Sequence, residues 1–436
     1  MTATDRVASL IEAMHDGHEP PAGVLDRARL VLADQIAVSL EGTRLSDHTA
    51  PDLGIAEPTD AAATRWGDGV AGFAPDIAFE NRRVADSLEL TAGPECGAAL
   101  TAAAEMADRS LKDLLIAVCW AAQLDAAVKA PLQNAVEQAG LHPPGFFAPV
   151  AVAGVSAWLT GLDRQACTHA VESSLCLAPA SPYAAFSLGS SAKELYGAWG
   201  QRLGLTLALM TGRGLTGPVN ALGGQAGLEA ILGLPEAAHD PAHSGSVTDS
   251  WAIERVRFKA YPCSRACHAA LTALEATEPV EMEAIERMRV TTYPFASRLS
   301  ARSAPETPVG AQMHIPTALA LRVVFGELPP VVAFSRARIH DPRVLDLARR
   351  IEVRSEPRPG PRQRFARIEI QLANGRRVEH ECDAKWSEDG SGVHQSVGTR
   401  AREFCARSPH PKLVDTVLDV DDMPVRQLIA RQEAGR

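Results

Sequence analysis

Hydrophobic and polar positions alternate in two ways along this chain, with a three-to-four-residue period over most of its length and a two-residue period in a block after Trp251. The first period predicts helices at Val7–Met14 and Pro21–Leu40, the second opening on proline and closing at Gly42. In that helix Leu25, Ala28, Leu32, Ile36 and Leu40 recur at helical spacing, so one face is expected in the core. Further helices are expected over Leu111–Leu132, over Phe146–Leu159 with Gly161 behind it, and over the stretch ACTHAVESSLC. Between Thr43 and Asp68 the chain is rich in Thr, Asp, Pro and Ala and reads as a long surface connection.

The most informative helix follows Gly189. Gly197, Ala198, Gly200, Gly204 and Ala208 would let another backbone approach, and Leu203, Leu205, Leu207 and Leu209 supply apolar area, so the helix is expected in the interior. It gives way to the Gly-rich turn Gly214–Pro218. Lys193 stands near its start, where a lysine is either a solvated terminal residue or a functional cation.

After Trp251 the period changes to two. IERVRFKAY, ERMRVTTYPF, RIEVRSE, RFARIEIQL and RRVEHECDAKW read as strands, and Asn374-Gly375 marks a hairpin between the last two. IPTALALRVVFGEL and PRVLDLARRI between them read as helices. The expected fold is mainly α: a large all-helical domain over 1–254, a smaller α+β lid domain over 255–397, and a return to the helical domain over 398–436, ending in ARQEAGR.

Composition narrows the function. A length of 436 residues with 46% hydrophobic content allows a large core and two domains. The formal net charge of -10 leaves no basic stripe for nucleic acid, and no apolar run reaches the roughly 20 residues of a membrane span. Eight scattered cysteines and an N-terminus without the pattern of a secretory signal fit a cytoplasmic protein with reduced thiols. Cys263, Cys267 and His268 lack a second ligand pair at suitable spacing for a structural zinc, so no metal is expected. No glycine pattern follows a strand and opens a helix as a dinucleotide site requires, so no cofactor is expected either.

Three blocks carry a resemblance: Lys193 with its small-residue helix and GLTGP; FKAYPC with His268 in SRACHAALTAL; and His142-Pro143-Pro144-Gly145 leading into FFAPVAVAGVSAWLTGLD. In order and spacing they resemble the MmgE/PrpD family, which includes 2-methylcitrate dehydratase, cis-aconitate decarboxylase and iminodisuccinate epimerase. Asp34 lies in LADQIAVSLEG, which is similar to a family helix, and otherwise reads as a surface or capping aspartate.

The resemblance implies a cleft between helical body and lid that takes a small carboxylate, a homodimer, and cofactor-independent proton abstraction next to the carboxylate. It implies Lys193, His268 and Glu89 as catalytic residues, with His142, Tyr196, Lys259, Thr317 and His314 around the substrate. His268 could instead be a half-buried histidine bonded to a carbonyl, and Glu89 a structural ion-pair partner.

The chain departs from the family where its relatives carry aspartates and a histidine. Glu89 stands at the first of those aspartates, Thr91 and Ala92 at the next acidic positions, and Asp86 in place of the first histidine. Tyr196 replaces another histidine and Thr317 a tyrosine. A divergent lyase or isomerase, such as an epimerase or cyclase, fits these changes, with a catalytically silent carboxylate- or protein-binding relative as the alternative.

Overall fold

The computed structural model describes residues 2–45, 62–91, 93–234, 248–300, 305–358, 364–383 and 391–428. Ala92, most of the connection expected over Thr43–Asp68, the end of the strand RRVEHECDAKW and the final ARQEAGR lie outside the described residues.

The helical part begins with α1 (Ala3–His15), α2 (Ala22–Gly42), α3 (Ala74–Ser87), α4 (Gly97–Met106) and α5 (Leu111–Gln138). It continues with α6 (Pro143–Leu159), α7 (Arg164–Cys176), the short α8 (Ala184–Leu188), α9 (Tyr196–Thr211) and α10 (Leu228–Ile231). Local chemistry fixes several starts. Thr2 and Asp5 form a reciprocal capping box on α1, Ser110 and Asp113 form one on α5, and Asp163 caps α7.

A two-stranded antiparallel ribbon, β1 (Ala62–Thr64) with β2 (Ala71–Phe73), precedes α3. β1 falls within the long surface connection expected over Thr43–Asp68, a correction to that expectation.

The interior helix expected after Gly189 is α9, packed against α3, α6 and α7. A Cβ on Gly204 would lie 2.7 Å from the Pro149 carbonyl oxygen and from Val152 Cβ, so only glycine allows this approach of α9 to α6. The single core face expected for α2 is too narrow. α3, α4, α5 and α17 surround α2, so its second half is buried on every side, and Asp34 is fully buried and paired with Arg400 rather than lying at a surface.

The rest of the chain holds α11 (Arg265–Glu275), β3 (Ile285–Thr292), α12 (Pro294–Leu299), α13 (Pro308–Gln312) and α14 (Ile315–Phe325). It then holds α15 (Arg336–Ile339), α16 (Pro342–Arg349), β4 (Ile351–Ser355), β5 (Phe365–Leu372) and β6 (Arg377–Asp383). The sheet order is β4-β3-β5-β6, with β3 and β4 parallel and the other pairs antiparallel. In register, Val290 faces Val353 on one side and Ile368 on the other, which puts β-branched residues on the buried face. Gly375, at φ 81°, turns the hairpin between β5 and β6.

α17 (Ser391–Ala406) and α18 (Leu413–Asp419) then pack on α2. Among the described residues the buried apolar side chains form two clusters, one over the helical part with the chain's last helices, the other over Cys263–Leu372. The fold is therefore mainly α with a smaller α+β part. Among the described residues no helix is long and apolar enough to cross a membrane.

The segment IERVRFKAY is not a strand, which corrects the two-residue reading there. Residues Ala252–Arg255 make a 3-10 turn, and the extended chain after it joins no sheet. The Arg27 guanidinium donates to the Val256 carbonyl and sits 4.7 Å over the Phe258 ring, taking up a carbonyl that a strand would offer to a neighbour. Phe258 belongs to the first core and Cys263 to the second, so Lys259 lies where the chain crosses between them.

Candidate active site at the junction of the two cores

α3 ends at Ser87, and Glu89, just beyond its cap, adopts φ 51°. This left-handed conformation is uncommon for a residue with a side chain. It places the Glu89 carboxylate between two lysines from distant parts of the chain. Lys259 Nζ donates to Glu89 Oε1 at 2.6 Å and to the Glu89 carbonyl at 2.8 Å. Lys193 Nζ donates to Glu89 Oε2 and, at 3.0 Å, to the Asp86 carbonyl.

Lys193 arrives on a 3-10 turn, Ser191–Leu195, immediately before α9. It is 4% exposed, so the solvated-lysine reading is corrected. Burial pushes the Glu89 carboxyl up, but Lys193 and Lys259 outweigh it and hold the group far below the usual carboxylate range. Each ammonium has three donors and two are engaged in these bonds, which leaves one on each for a ligand.

A cavity of about 320 Å³ opens beside this array. The helical part contributes Asp86, Glu89, Glu95, His142, Lys193 and Tyr196, and the α+β part contributes Ser264, Arg265, Tyr293, Phe295 and Arg364. Its lining carries the cations Lys129, Lys193, Lys259, Arg265 and Arg364 against the acids Asp86, Glu89, Glu95 and Glu137. Glu89 offsets one of the two lysine charges, so one lysine charge and the arginines Arg265 and Arg364 remain as the positive side of the lining.

One wall holds a group the sequence reading overlooked. Arg82, one turn before Asp86 on α3, pairs with it through two bonds, Nη2 to Oδ1 at 2.6 Å and Nε to Oδ2 at 3.2 Å. The same guanidinium also reaches Glu95 Oε2 at 3.0 Å. Two carboxylates sharing one buried cation carry a surplus negative charge, so the cluster takes up a proton readily. Burial is the main cause that pushes Asp86 up to about 7, with Glu95 adding to it, while Glu95 itself is held below its ordinary value because Arg82 and His142 outweigh its burial. The i, i+4 spacing of Arg82 and Asp86 was legible; Glu95, across the loop from α3 to α4, was not.

The remaining candidates divide. His142 lines the cavity as the cap of α6, its Nδ1 accepting from the Gly145 amide at 3.4 Å and its ring 4.3 Å from that of Phe186. Burial pushes His142 down to about 3, so it is neutral near pH 7. Tyr196 lines the cavity too, but its hydroxyl donates to the Pro182 carbonyl at 2.8 Å instead of to a carboxylate.

His268 is fully buried and is not among the lining residues; its Nε2 lies 3.2 Å from the Cys263 carbonyl oxygen and its ring meets the edge of Tyr261. Burial and then the Lys259 charge push His268 well below its ordinary value. As a correction, it is the carbonyl-bonded core histidine and not a pocket acid or base. His314 and Thr317 are corrected in the same way. His314 caps α14, its Nδ1 accepting from the Thr317 amide at 3.3 Å and from the Thr317 hydroxyl at 2.8 Å, and both are buried away from the cavity.

Among the described residues no group of three or more His, Cys, Asp or Glu is arranged to hold a metal ion. The lining can bind a carboxylate with lysine or arginine donors and move a proton at Asp86. In comparisons with known proteins, the model of the MmgE/PrpD N-terminal domain matches residues 86–240 and that of the MmgE/PrpD C-terminal domain matches residues 261–388. No curated protein matches the chain.

Proposed function

Because the chain belongs to the MmgE/PrpD family, a family of lyases and dehydratases, we propose that it is a lyase or isomerase that removes a proton next to a carboxylate of a small organic acid. The observation that carries this reading is the Arg82–Asp86–Glu95 cluster on the wall of the cavity, beside Lys193 and Lys259.

In this scheme the substrate carboxylate meets the remaining donors of Lys193 and Lys259 and the guanidinium of Arg265. The Asp86 carboxylate takes the proton from the adjacent carbon. The negative charge that develops on the substrate is stabilised by the two ammonium groups, which are fixed before the reaction and need no reorganisation. A base with a value near 7 is matched to proton transfer in both directions near neutral pH, so Asp86 can also return the proton. Return on the opposite face is epimerisation; expulsion of a hydroxyl from the next carbon, which leaves as water with the proton from Asp86 while the carbon–carbon double bond forms, is dehydration, a lyase reaction. Glu89, expected as a base, serves instead as the fixed anion that holds the two lysines, because a carboxylate so strongly paired is a weak proton acceptor. The scheme calls on side chains alone, and a homodimer remains part of the proposal through the family.

The test is to incubate the protein in deuterated water with a panel of di- and tricarboxylic acids and follow exchange at the carbon beside each carboxylate by NMR. Exchange with at least one acid, lost in Asp86→Asn, supports the reading. The pairing of both lysines with Glu89, which offsets one of their two charges, favours a second reading, a silent relative that binds a carboxylate without turning it over. Binding without exchange across the panel would support that one.

A further inference from the structure

A second cavity, of about 490 Å³, adjoins the first and shares Gly93, Lys129, Gln133, Arg265 and Arg364 with it. Beyond the shared wall its charged lining is Arg255, Arg257 and Asp125. Five basic side chains thus surround one acid, and that acid is already paired with Lys129 at 2.7 Å. The cations come from four separate places: α5, the chain crossing between the cores, the first residue of α11, and the residue before β5.

A solvated basic face would spread such groups apart. Here Arg265 is half-buried and donates to the Arg257 carbonyl at 2.9 Å, with its guanidinium held down at about 10 by burial and by the neighbouring Arg364 and Arg257. Among the described residues no carboxylate forms an ion pair with Arg255, Arg265 or Arg364. Gathering these three arginines in a concave site without an ion-pair partner is unfavourable and is relieved by an anion.

We propose that this second cavity binds a phosphate or pyrophosphate group, carried by the same molecule whose carboxylate occupies the first cavity. The inference rests on the carboxylate reading of that first cavity. A phosphate-type group is favoured over a second carboxylate because its several oxygens and higher charge can engage Arg255, Arg265 and Arg364 together, whereas a single carboxylate charge would leave two of these three arginines unmatched. The volume admits a phosphoester with part of its organic body. The residues shared by the two cavities place both anionic ends within reach of one elongated ligand.

The experiment is calorimetric titration of the full chain at low salt with pyrophosphate, with succinate, and with 3-phosphoglycerate as a linked phospho-carboxylate. Pyrophosphate is expected to bind more tightly than succinate, to weaken at least tenfold in Arg255→Gln and in Arg364→Gln, and to weaken as sodium chloride is added. Succinate affinity is expected to be unchanged in Arg255→Gln, since Arg255 lines only the second cavity. 3-Phosphoglycerate is expected to bind at least tenfold more tightly than succinate, with that gain lost in Arg255→Gln. Arg255 is exposed, so its replacement leaves the fold intact, which a melting curve checks. Pyrophosphate affinity no greater than that of succinate, or equal in wild type and both variants, overturns the proposal. No gain for the linked compound overturns the single-ligand form of it. Pyrophosphate binding as expected with no binding of succinate leaves the phosphate site standing and removes the carboxylate reading instead.

Discussion

Lys259 Nζ lies 2.6 Å from Glu89 Oε1, joining a residue at the end of α3 to one on the chain between the two cores. Lys193 holds the other carboxylate oxygen, so one buried anion fastens two cations that are distant in sequence. The left-handed backbone at Glu89 is held in place by these bonds.

Glu89→Gln leaves two buried ammonium groups without their counter-charge. Removing one partner of a buried ion pair costs about 3–5 kcal/mol, and urea denaturation should show a loss of that order. A variant as stable as wild type would mean that the lysines find water or another acid instead.

Asp86→Asn keeps the shape of the side chain and removes the proton acceptor. Exchange at the carbon beside the substrate carboxylate should fall by about 100-fold or more. In the wild type its rate should rise as pH increases toward 7 and then level as Asp86 loses its proton. Asp86→Asn with wild-type exchange and an unchanged pH profile would transfer the role to another group.

Stability should respond to pH in opposite senses at two residues of the cavity. Asp86 is raised to about 7 in the folded protein, so the folded state binds its proton more tightly than the unfolded chain does. Its contribution is therefore full below about 4 and is lost as pH rises to 7. His142 is lowered to about 3, so the unfolded chain binds the proton more tightly between about 3 and 6.5, and stability from this residue is lost as pH falls through that window. Urea midpoints from pH 4 to 8 for wild type, Asp86→Asn and His142→Gln should separate the two, the first variant removing a fall with rising pH and the second removing a rise.

Thr317→Val removes the hydroxyl that donates to His314 at the start of α14. A loss of about 1 kcal/mol is expected, because one buried hydrogen bond goes with little change in shape. Ligand affinity and proton exchange should stay at wild-type levels, since neither residue lines the cavity. A selective loss of ligand affinity would return both to the site.

Two glycines of α9 should fail differently. A methyl at Gly204 meets the Pro149 carbonyl and Val152, so Gly204→Ala should cost about 1–3 kcal/mol of stability through overpacking. At Gly197 it would come within 2.7 Å of Asp86 Oδ2 and 3.1 Å of Glu95 Oε2. Gly197→Ala should therefore also shift the pH profile of proton exchange, a readout that Gly204→Ala leaves in place.

Hydrophobic period alone determined the broad plan: the long helices, β3 to β6 with the hairpin at Gly375, and the small-residue contact of α9, because each depends on spacing within one short segment. It misread Ile253–Tyr261, where Phe258 is buried and Val256 partly buried against the first core while Arg255 and Arg257 are exposed at the rim of a cavity, a pattern that imitates a strand. Motif order brought Lys193, Lys259, His142 and Glu89 to notice, and these do line one cavity. Tertiary structure alone decided their partners. It placed His268 and the His314–Thr317 pair inside the second core, turned Glu89 into an anchor for two lysines, and joined Glu95 to Arg82 and Asp86 across a loop. The physical reason is that burial and ion pairing depend on distances between segments far apart in the chain, which local periodicity does not encode.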